Sequence, residues 1–312
     1  MPRDALRELW PALPLNEWQD TYATLHRWLQ IVGKTRLALT PMLNHWWNVT
    51  LYVTERGLST SVMTQGSSPL DIEFDFVEHV LRARTTAKEE RIPLMAESVA
   101  AFYKKYLAML QQLGIEVQLY ASPVEIEDAT PFPKDTVHDS YDPAAANRLW
   151  RILLQSDRVF RRFRAGFVGK SSPVHFFWGS FDLAVSRFSG RRAPTHPGGA
   201  PNCPDWVMVE AYSHEVISAG FWPGSAAYPE PAYYAYAYPE PAGLAQESIA
   251  PAAAFYHPEM REFILPYEAV RTSSDPDASL LTFMESTYDA AARLASWDRS
   301  ALERDPAIGV RA

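Results

Sequence analysis

The sequence predicts an α+β protein of two halves, each a mostly antiparallel sheet packed with helices. Three observations predict it. Stretches of helical periodicity flank clusters of strand-like segments instead of alternating singly with them. An Asp-Pro pair opens a helical run twice, at Asp142-Pro143 and Asp275-Pro276. The order of helix, strands and helix recurs, and each strand cluster begins on a histidine followed by bulky rings: His45-Trp46-Trp47 and His175-Phe176-Phe177-Trp178. An internal duplication explains that recurrence; a chance match in a chain of 312 residues explains it equally well.

The first helix is expected from Asn16, an N-cap, through Trp18, Tyr22, Leu25, Leu29 and Val32, with Gly33 as its stop. At 47–54 the period becomes two, with Trp47, Val49, Leu51 and Val53 alternating with polar or smaller neighbours. Arg56-Gly57 turns the chain into a partner strand over 58–63, and 71–85 reads as further strand. Val99, Phe102, Tyr106, Met109, Leu110 and Leu113 then share one helical face, ended by Gly114. Residues 115–121 read as strand. The proline- and acid-rich stretch 122–142 is the expected boundary, which gives an amino-terminal half over 1–130 and a carboxyl-terminal half over 131–312, or one continuous domain.

In the second half a helix opens at Pro143. Strands are expected over 174–189, 207–221, 233–238 and 262–267, with a loop over 190–206. The last helix carries Leu280, Leu281, Met284, Tyr288, Ala291, Leu294 and Trp297.

Composition bounds the function. Hydrophobic residues are 47% and charged residues 21%, enough to build a core and to exclude whole-chain disorder. The single cysteine, Cys203, excludes an intrachain disulfide and a cysteine-built zinc site. A net charge of -8 argues against a nucleic-acid partner, whose phosphates must be neutralised. Neither a signal peptide nor a membrane-length apolar run is evident, so a cytoplasmic protein with no membrane partner is expected. The 25 prolines and only 14 glycines imply stiff loops, and 10 tryptophans imply a ring-rich core.

The chemistry-bearing residues concentrate between 169 and 241. Gly169-Lys170-Ser171 mimics the end of a phosphate loop, but Arg164 stands where that motif needs glycine and a helix precedes it, so nucleotide binding through it is rejected. Read as a strand, 175–186 puts His175 and Phe177 on one face and Trp178 and Asp182 on the other, unless a bulge at Gly179 shifts the register. Asp182 in an apolar strand needs a partner, either as a brace to Arg187, Arg191 or a histidine or as a working carboxylate. Glu210, Tyr212 and His214 would share a strand face, giving an acid/base pair or, with His175, a two-histidine, one-carboxylate metal set. The spacing matches no strong ligand motif, so no cofactor is expected. Tyr234, Tyr236 and Tyr238 form a stripe suited to a pocket wall, a core or an interface. The basic helix face around Arg158 and Arg161 reads as solvated.

The stretches His175–Ala184, Arg187–Arg191, Glu210–Glu215 and Gly220–Gly224, with Asn44–Trp47 and Phe263–Tyr267, resemble a bacterial family filed as domain of unknown function 5996. The resemblance covers nearly the whole chain. It implies no reaction and transfers no catalytic residue.

Two functions follow from the residues. One is an enzyme, a hydrolase or lyase acting on a small polar or anionic molecule. Glu210 and His214 would move protons, His175 would be a second acid/base group or ligand, and Asp182 would orient a histidine. Arg187 and Arg191 would hold the anion, and Trp178 and Tyr236 would wall the pocket. The other is a non-catalytic ligand-binding or assembly protein. The oligomeric state is not set by the sequence.

Overall fold

The computed structural model describes residues 8–225 and 228–305. The amino-terminal residues 1–7, where a signal peptide would begin, lie outside them. The fold is α+β, with seven helices among the described residues and two six-stranded antiparallel sheets.

The first helix, α1 (Gln19–Leu39), is longer than the sequence suggested. It starts after Trp18 instead of at Asn16, and it runs straight through Gly33. Gly33 is a point of close approach. A Cβ there would lie well inside 3.0 Å of three indole atoms of Trp178. Residues 24–36 of α1 are buried on every side, polar ones included. Those polar groups tie the molecule together. The His26 Nε2 lies 3.0 and 2.9 Å from the carbonyls of Trp178 and Gly179. The Gln30 amide exchanges two hydrogen bonds with the backbone of Val124. Arg27 pairs with Asp128 and Asp135.

The first sheet comprises β1 (Tyr52–Val53), β2 (Gly57–Ser59), β3 (Met63–Gln65), β4 (Ser68–Asp75), β5 (Val80–Arg84) and β6 (Glu89–Pro93). It is a meander in the order β1-β2-β4-β5-β6, with β3 folded onto β4. The expected strand over 47–54 shrinks to its last residues because Asn44–Trp46 forms a 3-10 turn, and His45 and Trp46 both take left-handed backbone angles. The run 71–85 is broken by a turn into two strands. Helix α2 (Val99–Gln112) follows, capped by the Ser98 hydroxyl and stopped where Gly114 adopts a positive φ. Residues 115–121 are irregular, not a strand.

Helix α3 (Pro143–Ala165) starts on the Asp142 cap with proline in its first turn. The second sheet then runs β7 (His175–Phe177), β8 (Asp182–Arg192), β9 (His214–Trp222), β10 (Ala232–Tyr238), β11 (Phe255–His257) and β12 (Glu262–Pro266). Its order is β7-β8-β9-β10-β12-β11. A short helix, α4 (Asp205–Ala211), occupies the start of what the sequence suggested was strand, so Glu210 is helical. Past α5 (Tyr267–Arg271), helix α6 (Pro276–Leu294) packs with α3 on one face of this sheet, and α7 (Arg299–Leu302) ends the described fold.

Strand alternation decides what faces what. Leu183, Val185 and Arg187 of β8, with Tyr233 of β10, face α3 and α6: Tyr233 bonds Ser156 on α3, and Arg187 reaches Glu285 on α6. Asp182, Ala184, Ser186, Tyr234 and Tyr236 face the other way. There the segments 44–49, 120–125 and 202–212 close over the sheet. The two sheets are joined by paired backbone hydrogen bonds between Leu51 and Phe176, each 2.9 Å. One apolar core runs through both halves, from Trp10 to Trp297. Among the described residues no helix is long and apolar enough to cross a membrane.

Candidate functional site

The polar-bearing face of the second sheet and the segments above it enclose a cavity of about 950 Å³. Its walls are rings: Trp47, Phe177, Trp178, Phe188, Trp222, Tyr234 and Tyr236 among them. At the rim Trp206 on α4 lies tilted against Trp46, with ring centroids 5.3 Å apart, and is 61% exposed. Such a mixture of aromatic walls and a few polar groups is typical of small-molecule sites.

Asp182 stands on the floor, 8% exposed. It accepts hydrogen bonds from the hydroxyls of Ser180 and Tyr234. Burial raises its pKa, and those two donors work against the rise. The chain allows this because 178–181 is a turn, with Phe181 in the left-handed region, and Phe177 pairs with Asp182 across the hairpin. His175 pairs with Ala184, so His175, Phe177 and Asp182 share a face, the opposite of the register read from an unbroken strand. The Tyr234 hydroxyl reaches Asp182 over Gly220, where any Cβ would occupy its place.

Two more carboxyls line the same cavity. Glu125, from the long loop, rests against Gly179, and Glu262 projects from the start of β12. Neither accepts a hydrogen bond from a described residue. Burial first and the Asp182 charge second push both pKa values up to about 7; Lys34 partly offsets this at Glu125. Lys34, on α1, is the opposing charge. It is 4% exposed, with its ammonium 5.0 Å from the Tyr120 ring centre and 5.5 Å from that of Trp178. Burial lowers its pKa to about 8, against the pull of Cys203 and Glu125.

Of the residues proposed from sequence, Asp182, Trp178 and Tyr236 line this cavity. The Trp178 indole donates to the Val49 carbonyl at 2.7 Å, and the Tyr236 hydroxyl meets that of Tyr212 at 2.9 Å. Glu210 and His214 gather beside it, around His45. The Glu210 carboxylate accepts from the His45 backbone N–H at 3.1 Å, and the rings of His45 and His214 lie 5.8 Å apart. Lys170 Nζ is 2.6 Å from His45 Nε2. An ammonium only donates, so Nε2 must accept, and Nδ1 carries the proton it gives to the Ala211 carbonyl at 2.8 Å. Burial, then the Lys170 charge among others, depresses the His45 pKa.

His175 stays apart, buried among Trp47, Tyr52 and Phe177, with its Nδ1 unpartnered and its pKa driven down to about 3 by burial and by Arg36 and Arg164. Arg187 is on the helix side of β8, clasped between the rings of Phe163 and Tyr288 at 3.4 and 4.3 Å. Arg191 is at the surface, bound to Glu215 and the Ala295 carbonyl. The structure therefore brings neither arginine to the cavity, and it does not bring His175, Glu210 and His214 together. Among the described residues no group of three or more His, Cys, Asp or Glu is arranged to hold a metal ion.

Sequence reasoning missed Lys34, Glu125 and Glu262. Glu262 carried the same signal as Asp182, a carboxylate in an otherwise apolar strand. Lys34 and Glu125 carried none, since a lysine on an amphipathic helix and a glutamate in an acidic loop both read as solvated.

The chain belongs to the family of unknown function DUF5996, whose model matches residues 10–304. No curated protein and no solved structure matches it.

Proposed function

We propose that the protein binds a small ring-bearing molecule in this cavity and acts on it by proton transfer, as a lyase or hydrolase does. The carrying observation is that Glu125 and Glu262, two carboxyls without hydrogen-bond partners, face the same ring-walled space as Asp182. Buried carboxyls left without donors are costly unless a ligand supplies them. With pKa values near 7 they exchange protons readily at neutral pH. In this reading Glu125 and Glu262 are the acid and base. Asp182, fixed by Ser180 and Tyr234, sets the local field, and Trp178 and Tyr236 hold the ring. His45 and its partners Lys170, Glu210 and His214 brace the rim.

The test is incubation of the full chain with a small-molecule extract, followed by mass spectrometry of what is consumed and what co-elutes with the protein. Consumption by the wild type that is lost in both Glu125→Gln and Glu262→Gln supports the reading. A compound retained but never consumed reduces it to ligand binding. An extract that is neither consumed nor retained overturns it.

A further inference from the structure

Lys34, in the wall of the cavity, has no part in the acid–base reading. Of the six lysines in the chain, it alone is buried in the wall of a large cavity. Buried ammonium groups are expensive unless several acceptors surround them. Lys34 has none: among the described residues no hydrogen bond or close ion pair reaches its Nζ, and the faces of Tyr120 and Trp178 lie 5.0 and 5.5 Å from it. Its position is fixed nonetheless. It sits on α1 one residue after Gly33, where the Trp178 indole packs against the helix backbone. The Glu125 carboxyl shares this part of the cavity and acts electrostatically on the amine. An amine without a hydrogen-bond acceptor, held in a ring-lined wall with a carboxyl at hand, is the arrangement that makes a lysine a nucleophile.

We propose that Lys34 forms an imine with the carbonyl group of a ring-bearing aldehyde or ketone bound in the cavity. The inference rests on the reading of the cavity as a small-molecule site and gives that molecule a functional group. The step balances without any further reagent. The neutral amine adds to the carbonyl carbon, its nitrogen passes a proton to the oxygen, and a carbinolamine results. Glu125 then protonates the departing hydroxyl, which leaves as water as the C=N bond forms, and the nitrogen's remaining proton returns to the Glu125 carboxylate. The local environment favours the first step: with its pKa at about 8, Lys34 is neutral at pH 7 on the order of a hundred times more often than a lysine at the ordinary value of 10.5.

The experiment uses the full chain, benzaldehyde as the carbonyl probe and cyanoborohydride to trap the imine at pH 7, with peptide mapping of the adduct. Benzyl alcohol, which has the ring but no carbonyl, is titrated separately by tryptophan fluorescence. The expected result is a benzyl adduct on Lys34 formed at least about tenfold faster than on Lys88, Lys104, Lys105, Lys134 or Lys170, slowed by benzyl alcohol and reduced in Glu125→Gln. If benzyl alcohol binds but adducts spread evenly over the lysines or spare Lys34, the imine is overturned and the cavity reading stands. If benzyl alcohol neither binds nor protects, the cavity reading falls as well, and any labelling of Lys34 is then unrelated to a ring-binding site.

Discussion

Gly33→Ala separates two opposed effects at the cavity wall. In a solvent-exposed helix the change would stabilise by about 1 kcal/mol through helix propensity. Here the new methyl meets Cδ1, Nε1 and Cγ of Trp178 far inside the 3.0 Å limit that Cβ atoms keep. The indole has little room to yield. Its N–H is bonded to the Val49 carbonyl, and the carbonyls of Trp178 and Gly179 are gripped by His26. Overpacking of this kind costs roughly 1–3 kcal/mol, and a lost indole hydrogen bond adds about 1 kcal/mol. After the helix gain is subtracted, the net destabilisation is about 2 kcal/mol. For a chain of this size that lowers Tm by roughly 4 °C. Thermal unfolding followed by tryptophan fluorescence and circular dichroism measures it. The native emission should also shift, because Trp178 moves. An unchanged or raised Tm would refute the claim that Gly33 exists to seat the indole.

Other outcomes follow from the same geometry. Asp182→Asn removes the charge that helps raise Glu125 and Glu262, so both pKa values should fall in carboxyl NMR titrations; unmoved values would mean that burial alone sets them. The two glutamates hold protons in the folded state between their ordinary value of 4.5 and about 7, so their contribution to stability is complete below 4.5 and is lost as pH climbs through 7. The buried His26 and His175, lowered to about 4 and about 3, act in the opposite sense: their contribution is complete above 6.5 and is lost as pH falls below it. Denaturant unfolding should therefore show stability declining from pH 6.5 to about 7.5, above which Lys34, lowered to about 8, acts in the opposite sense, and the Glu125→Gln/Glu262→Gln pair should flatten that decline. Arg187→Ala empties the clasp of Phe163 and Tyr288 and unpairs Glu285. Because Glu285 is partly hydrated, the cost is about 3 kcal/mol, below that of a fully sealed pair, while benzyl alcohol affinity is unchanged. Lost affinity in a folded Arg187→Ala protein would return that arginine to the ligand site.

The fold class and most elements were legible because they rest on local chemistry. The Asp142 and Asp275 caps, the period of the rings in α2 and the glycine ending it all report on neighbours within a few residues. The errors fall where a distant group decides. Gly33 reads as a stop until Trp178, far along the chain, is seen lying on it. Glu210 reads as strand until α4 is seen docked on the 3-10 turn at Asn44–Trp46. The site divides the same way. Asp182 could be picked as a carboxylate in an apolar strand and Tyr236 from the alternation of its strand, while Trp178 reaches the cavity from a turn that alternation did not foresee; Arg187 was drawn in by proximity in sequence although an odd-numbered step from Asp182 puts it on the helix face. Lys34 and Glu125 reach Asp182 only through tertiary structure, which no local spacing encodes.

The ring-walled chamber is a shared construction. Lys34, Trp47 and Glu125 come from the first 130 residues, and Asp182, Tyr236 and Glu262 from the remainder. Neither portion would carry a usable hollow if cut away from the other. Damage to the fastening between them at His26, which grips the carbonyls of Trp178 and Gly179, should therefore silence the site while each portion still keeps its own strands. Tolerance to change ought to be lowest along α1, which serves as the hinge pin of both walls.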